Sequence, residues 1–336
     1  MSEKVHRVVF VPEGRTLNVP DGQTLLEAAR SAGIRLNAPC GGKGTCGGCR
    51  IVVPENPPPA SETCLRVLSG EEIHRNLRLA CQVRVRGNLR VVIPEETRLA
   101  DQKILVEGAE RRTALAPNVR KVVLHLPTPS VADQRSDADR LLDGLAEKGL
   151  PDLQLNFGAA RDLSGRLRAL DFETAAVVLG SDVIGLERPS AADACYGVAF
   201  DIGTTTLAGY LVNLVTGEVA AAAGRTNPQT VYGDDVVARI EYCGRDKRGA
   251  RTLQGLVVDA MNAMIREVCR KAAIRPSVVY EVTVVGNTTM NHLLLRLPVD
   301  PIARAPFVAA SASGQSVPAR DLGLKIHPRG RLYAGP

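Results

Sequence analysis

No tryptophan occurs among the 336 residues, and aromatic residues reach only 3%. Any core must therefore be aliphatic, which the 45% hydrophobic content allows. Aromatics do not interleave with the basic residues, so a nucleic-acid surface is disfavoured. The net charge of +6 is modest, with basic residues scattered apart from Arg111–Arg112 and the mixed run Arg245–Arg251. A solvated surface, or a face for an acidic partner protein, fits better. No apolar run approaches the roughly 20 residues of a membrane span. The start, "MSEKVHRVVFVPEG", has no apolar signal core and no cleavage site, so a cytoplasmic protein is expected. There, clustered cysteines read as ligands or redox groups rather than disulfides.

Three of the eight cysteines sit within "APCGGKGTCGGC", Ala38 to Cys49, among five glycines. Cys40, Cys46 and Cys49 give C-x5-C-x2-C, and Cys81 follows in "RLACQV", read as entering a strand. Four thiolates, three on one loop and one distant, suit a 2Fe–2S cluster, although the plant-type first gap is one residue shorter. Residues without Cβ let backbone N–H groups approach the cluster sulfides. Zinc would want two C-x2-C knuckles, and one is present. Cys64 in "SETCLRVL" lacks this setting and reads as free, while Cys195, Cys243 and Cys269 read as small buried hydrophobes. The loop looks like that of 2Fe–2S ferredoxins.

Around it, residues 1–94 predict a β-grasp ferredoxin domain. Val5–Val11 reads as a strand and "TLNV" closes a hairpin with it. Thr24 and Glu27 form a capping box for a helix that ends at Gly33. "CRIVVP" is strand-like, and "CQVRVRGNLRVVIP" predicts a hairpin turning at Gly87-Asn88. Residues 95–112 read as a linker. Residues 113–190 predict a small α/β unit: strand "VRKVVLHLP", a helix capped by Ser136 with Asp139, and strand "LDFETAAVVLG". It carries no catalytic constellation and reads as a spacer or dimerisation module. Residues 195–336 alternate differently, as β-β-β-α-α-β-α-β, a mixed sheet with helices.

In that last region, "FDIGTTTLAGYLV" puts Asp201 at a strand end, then Gly203, Thr204, Thr205 and Thr206. Such a turn can wrap phosphates through hydroxyl and N–H donors, with Asp201 toward an accompanying metal. The plain alternative is a hairpin rich in strand-forming threonine. With its three strands and following helices, the turn resembles the first phosphate motif of acetate and sugar kinases, heat-shock chaperone ATPases and actin. "NPQTVYGDDVVARI" (Asn227–Ile240) and "VVGNTTMNHLLLRLPVDPIARAPF" (Val284–Phe307) further resemble the ferredoxin-fused ATPases called reductive activators of corrinoid proteins.

The resemblance covers essentially the whole chain. It implies an α/β multidomain fold: a ferredoxin domain (1–94), a linker (95–112), a middle domain (113–190) and the first half of an actin-like, ribonuclease H-like ATPase (195–336). It implies a 2Fe–2S cluster on Cys40, Cys46, Cys49 and Cys81. It also implies ATP with Mg2+ at Asp201, Gly203, Thr204, Thr205, Thr206, Asp235 and Asn287, and a corrinoid protein as partner, reduced from Co(II) to Co(I). Asp234 is an alternative to Asp235 at the magnesium, with helix capping by Asp234 as the plain reading. Thr288 is the plain candidate for the cap at Asn287, and His292 reads as a satisfied core histidine. A homodimer through the middle domain is a family-level expectation. No second D-x-G-x loop follows, so the chain reads as a shortened member, whose own ATP hydrolysis is in doubt. The alternatives are a plain 2Fe–2S carrier with an ATPase-like docking domain, and a non-redox ATPase with the cluster as sensor.

Overall fold

The fold is taken from a computed structural model that describes residues 4–34, 36–38, 40–98, 114–233 and 235–336. Most of the expected linker, and Asp234, lie outside the described residues.

The N-terminal module holds β1 (Val5–Val11), β2 (Arg15–Pro20), α1 (Leu25–Ser31), β3 (Arg50–Val52), α2 (Glu62–Val67), α3 (Gly70–His74), β4 (Leu77–Leu79) and β5 (Leu89–Val92). They form a five-stranded sheet ordered β2-β1-β5-β3-β4. The capping box forms as read: the Glu27 amide donates to Thr24 Oγ1 at 3.2 Å, and the Thr24 amide to Glu27 Oε2 at 2.9 Å. Leu25, Leu26, Ala28 and Ala29 then turn one face of α1 into the core with Val8, Phe10 and Ile51.

The predicted hairpin at Gly87-Asn88 does not form. The Val85 amide bonds to the Gln23 carbonyl at 2.8 Å, so residues 83–85 run beside the start of α1. β5 instead pairs parallel with β1, Val8 opposite Leu89. Cys81 accordingly sits in a turn after β4 and does not open a strand.

The middle module holds β6 (Val119–His125), α4 (Asp137–Glu147), β7 (Gln154–Leu155), α5 (Phe157–Ala169), β8 (Glu173–Leu179) and β9 (Asp182–Glu187), with sheet order β6-β8-β9-β7. Ser136 caps α4 by accepting from the Asp139 amide at 3.0 Å.

The C-terminal module holds β10 (Tyr196–Ile202), β11 (Thr206–Asn213), β12 (Val219–Thr226), α6 (Val236–Arg245), α7 (Gly249–Lys271), β13 (Val279–Gly286), α8 (Thr288–Leu295), β14 (Gln315–Pro318) and β15 (Arg331–Ala334). Its six-stranded sheet runs β12-β11-β10-β13-β15-β14. β10 to β12 form an antiparallel meander, and β10 pairs parallel with β13. The apolar face of α7, including Leu253, Val257, Met261, Met264 and Ile265, seals the core on this sheet.

The middle and C-terminal modules share a core. Val119, Val177, Leu179 and Ile184 pack with Cys195 and Tyr280. A polar network crosses the same joint. The Tyr280 hydroxyl donates to Glu187 Oε1 at 2.5 Å, and Lys121 Nζ lies 2.7 Å from Glu187 Oε2. Arg329 Nη2 donates to the Gly158 carbonyl at 2.6 Å. His327 stacks on Tyr280 with ring centroids 4.9 Å apart. Burial holds His327 down from 6.5 to about 4.

That shift sets a pH dependence. Below pH 6.5 the unfolded chain takes a proton that folded His327 refuses until about pH 4. Stability is therefore lost as pH falls through this window. Thermal unfolding followed by circular dichroism should show a falling midpoint from pH 6.5 to 4.5, and a flatter profile in His327→Phe. An unchanged slope in the variant would remove His327 as the cause.

Candidate functional site

The four cysteines of the ferredoxin module form two pairs. Cys40 and Cys46 lie with sulfurs 3.2 Å apart on the loop after α1. Cys49, at the start of the run into β3, and Cys81 lie near enough for each thiol to shift the other's ionisation. Among the described residues no three Cys, His, Asp or Glu side chains converge as one metal ion would need. A two-by-two thiol set is what two irons require, since each iron of a 2Fe–2S cluster takes two protein ligands. The single-ion zinc alternative fits this geometry less well.

The loop also supplies donors. Burial raises the Cys40 thiol, but donation from the Cys46 amide and thiol and from the Gly42 and Thr45 amides outweighs it and brings Cys40 down to about 6. The Gly48 amide reaches Cys46 Sγ at 3.4 Å, and Gln82 Nε2 reaches Cys81 Sγ at 3.5 Å. Interaction with the Cys49 thiol lowers Cys81 to about 7 and, with burial, the same interaction raises Cys49 itself. Thiolate character and N–H donors are thus present where a cluster needs them. The glycines make this backbone possible. At Gly44, with φ of +80°, a Cβ would stand 2.7 Å from Thr63 Cγ2. The residues present fit the cluster.

Access differs between the pairs. Cys46 is exposed, whereas Cys49 and Cys81 are buried. Cys64 is buried at the start of α2, whose cap Ser61 accepts from its amide. Burial raises Cys195, Cys243 and Cys269 to about 11, although Cys243 is only half-buried, less than expected.

The second site is the Gly/Thr turn between β10 and β11. A Cβ on Gly203 would stand 2.8 Å from the Thr206 carbonyl oxygen, so the tight turn needs glycine there. Three side chains hold it. Asn227 Nδ2 donates to the Gly203 carbonyl at 2.8 Å. Arg239 Nη2 donates to the Thr204 carbonyl. Asn287 Nδ2 donates to Thr204 Oγ1 at 3.1 Å. Asp201 is exposed at the end of β10, and Thr206 opens β11 opposite Thr226.

Asp201, Gly203, Thr204, Thr205, Thr206 and Asn287 are therefore gathered at one end of the sheet. Asp235 and Asn287 also act as caps. Asp235 Oδ1 accepts from the Ala238 amide at 2.7 Å, and Asn287 Oδ1 from the Met290 amide at 3.0 Å. Asn287, not Thr288, caps α8. His292 is buried, with Nδ1 2.7 Å from the Thr288 carbonyl oxygen, as a satisfied core histidine should be.

Sequence reading missed Arg239. Its side chain is fully buried in α6. Besides Thr204, its Nε donates to the Gly233 carbonyl at 2.9 Å and its Nη1 to Gln229 Oε1 at 3.1 Å. One arginine on a half-apolar helix face gives no signal of this role.

A β-grasp sheet carrying a cysteine cradle, joined to two further α/β modules, defines an iron–sulfur protein of compound build. Residues 9–86 match the 2Fe-2S iron-sulfur cluster binding domain, 108–193 the RACo linker region and 196–336 the RACo middle region. The chain is a homologue of the reductive activators of corrinoid proteins. It is 27% identical over 337 aligned residues to the corrinoid activation enzyme RamQ of Eubacterium limosum, covering 97% of this chain and 52% of that protein. It is similar to the solved reductive activator for corrinoid, iron-sulfur protein, with TM-score 0.63 and 30% identity over 98% of this chain and 55% of that one. The ferredoxin module alone is 39% identical over 84 residues to a component of the Na(+)-translocating NADH-quinone reductase of Yersinia pestis, over 25% of this chain and 21% of that protein. The chain spans about half the length of the corrinoid-activating relatives it matches. No described helix is long and apolar enough to cross a membrane.

Proposed function

We propose that this chain is the electron-carrying part of an ATP-linked activator that reduces a protein-bound corrinoid from Co(II) to Co(I), in the cytoplasm. Cys40, Cys46, Cys49 and Cys81 hold the 2Fe–2S cluster, which, when bound, supplies one-electron transfer. Asp201, Gly203 to Thr206, Asp235 and Asn287 receive the phosphates of Mg·ATP. One electron enters from an external reductant and one leaves to cobalt, so charge balances.

Reducing Co(II) is uphill from an ordinary ferredoxin, and each 59 mV is about a factor of ten for one electron. Nucleotide must therefore shift the populations of complexes rather than add driving force to the cluster alone. The observation that supports this reading is spatial. The segment that clamps the Gly/Thr turn also touches the cysteine loop: Arg239 bonds to Thr204, and Tyr232 and Glu241 meet Gly41 and Lys43.

The test is anaerobic. The chain is loaded with iron and sulfide, reduced, and mixed with a Co(II) corrinoid iron–sulfur protein while the Co(I) absorbance is followed, with and without Mg·ATP. Co(I) should form, and form faster or further with nucleotide. A chain that loads no cluster sinks the reading. One observation favours a plain electron carrier: Asp235 and Asn287 each already spend an oxygen on a helix cap. That reading predicts Co(I) formation indifferent to ATP.

A further inference from the structure

A cavity at the joint of the middle and C-terminal modules belongs to neither site. It lies between α5, β9 and the loop before β15, with a volume of about 670 Å³. Small-molecule sites commonly measure about 300–1,000 Å³ and favour such joints. The titratable residues that line it are Arg161, Asp162 and Arg166 from α5, Glu187 from β9, and His327 and Arg329 from the loop.

Both carboxylates are already answered. Asp162 pairs with Arg329. Glu187 is held through Oε1 by the Tyr280 hydroxyl and through Oε2 by Lys121. Arg329 is fixed in turn, with Nη1 donating to the Ile184 carbonyl at 3.1 Å and Nη2 to the Gly158 carbonyl at 2.6 Å. The two cations on α5 are not answered. Arg166 donates through Nη2 to the Leu186 carbonyl at 3.1 Å and meets no carboxylate among the described residues. Arg161 has neither an ion pair nor a side-chain hydrogen bond among them. Singly, an exposed arginine is ordinary. Here two line one cavity whose acids are spent on other partners.

Two glycines keep the space open. Gly165 interrupts α5 and Gly185 interrupts β9, and both line the cavity. Glycine weakens a helix and a strand alike. Neither residue has the positive φ that calls for glycine. A Cβ would meet nothing within 4 Å at Gly165, and only Arg329 Nη1, at an ordinary 3.7 Å, at Gly185. The fold has no need of glycine at these positions, whereas an occupant of the cavity has.

We propose that this cavity is a binding site for a small phosphate-bearing molecule, whose anionic oxygens are received by the guanidiniums of Arg161 and Arg166. Guanidinium forks match phosphate oxygens two at a time. Arg329 adds fixed positive charge to the wall, and the nearly buried Leu163 and Leu186 give the lining an apolar part. The site shares no residue with the cysteine cradle or the Gly/Thr turn, so it stands or falls apart from the electron-transfer reading.

The test uses the full chain in EDTA, without magnesium, so that no magnesium-nucleotide complex fills the Gly/Thr turn. Adenosine 5′-monophosphate and inorganic pyrophosphate are each titrated by calorimetry. At least one should bind saturably below about 1 mM. Bound to the folded joint, it should also raise the thermal midpoint. Arg161→Gln and Arg166→Gln should each weaken binding about tenfold, as the loss of a charge-assisted hydrogen bond does. Gly165→Met fills the cavity with a good helix former. Binding should then vanish while circular dichroism shows the fold retained. The tighter probe tells an organic phosphate from an inorganic one. If neither probe binds, or if all three variants bind as the wild type does, the site is overturned.

Discussion

A chain carrying Cys49→Ser should purify colourless, with iron well below two per chain and no one-electron reduction signal. Cys81→Ser should behave alike. Both side chains are buried, so a serine there has no solvent path to a substitute ligand. Cys46→Ser should be milder, because Cys46 is exposed and water can complete the site. The control is Cys64→Ser. Cys64 is equally buried, but it lies in α2 with its amide on the Ser61 cap. It should keep full iron and the red-brown absorbance, apart from a small loss of stability. Iron analysis and visible spectra decide the matter. A coloured Cys49→Ser chain with full iron would remove Cys49 from the ligand set, and with it the pairing of Cys49 with Cys81.

Arg239→Met should be the most destabilising single change in the C-terminal module. The thioether chain fills part of the volume but withdraws a charged donor from the Thr204 and Gly233 carbonyls and from Gln229 Oε1. Hydrogen bonds to charged groups contribute about 1.5–3 kcal/mol each, and buried acceptors left unpaired cost a similar amount. With partial relaxation the loss is about 3–5 kcal/mol, against a total stability of about 5–15 kcal/mol for a domain. Urea unfolding followed by circular dichroism should show an unfolding free energy lower by that amount, seen as a lowered midpoint at unchanged slope. The Gly/Thr turn should loosen as well, so any Mg·ATP affinity falls more than in Thr205→Ala. A loss under about 1 kcal/mol would mean that water replaces the guanidinium, and that the clamp on the turn rests on Asn227 and Asn287.

The parts of the fold readable in advance were those written in short-range chemistry. The Thr24–Glu27 capping box depends on residues three apart, and it forms as read. So does the cap at Ser136. The cysteine spacing, too, constrains chemistry locally, and the thiols come together in pairs. Gly87-Asn88 misled because alternation around a turn pair is equally compatible with a strand pairing elsewhere. The deciding bonds are Val85 to Gln23 and β5 alongside β1, both remote in sequence. Helix α5 was missed because glycines and arginines dilute its pattern, although Leu163 and Leu167 keep helical spacing and Asn156 caps it. The residues that link the two sites were least visible of all. Arg30, Tyr232, Arg239 and Glu241 are ordinary residues until the modules meet, and nothing in the chain's local grammar says that they do.

The core shared by Val119, Ile184, Cys195 and Tyr280 has a consequence for how this architecture can be rearranged. A border drawn near Cys195 falls through the middle of a packed apolar cluster, so the middle and C-terminal modules are expected to unfold together as a block. Among the described residues, the ferredoxin module meets that block through contacts that include Arg30 stacked on Tyr232, a half-exposed ion pair and a glycine contact. Exchanging electron-carrying heads between such proteins is thus structurally undemanding. Exchanging what lies behind them means moving the block whole.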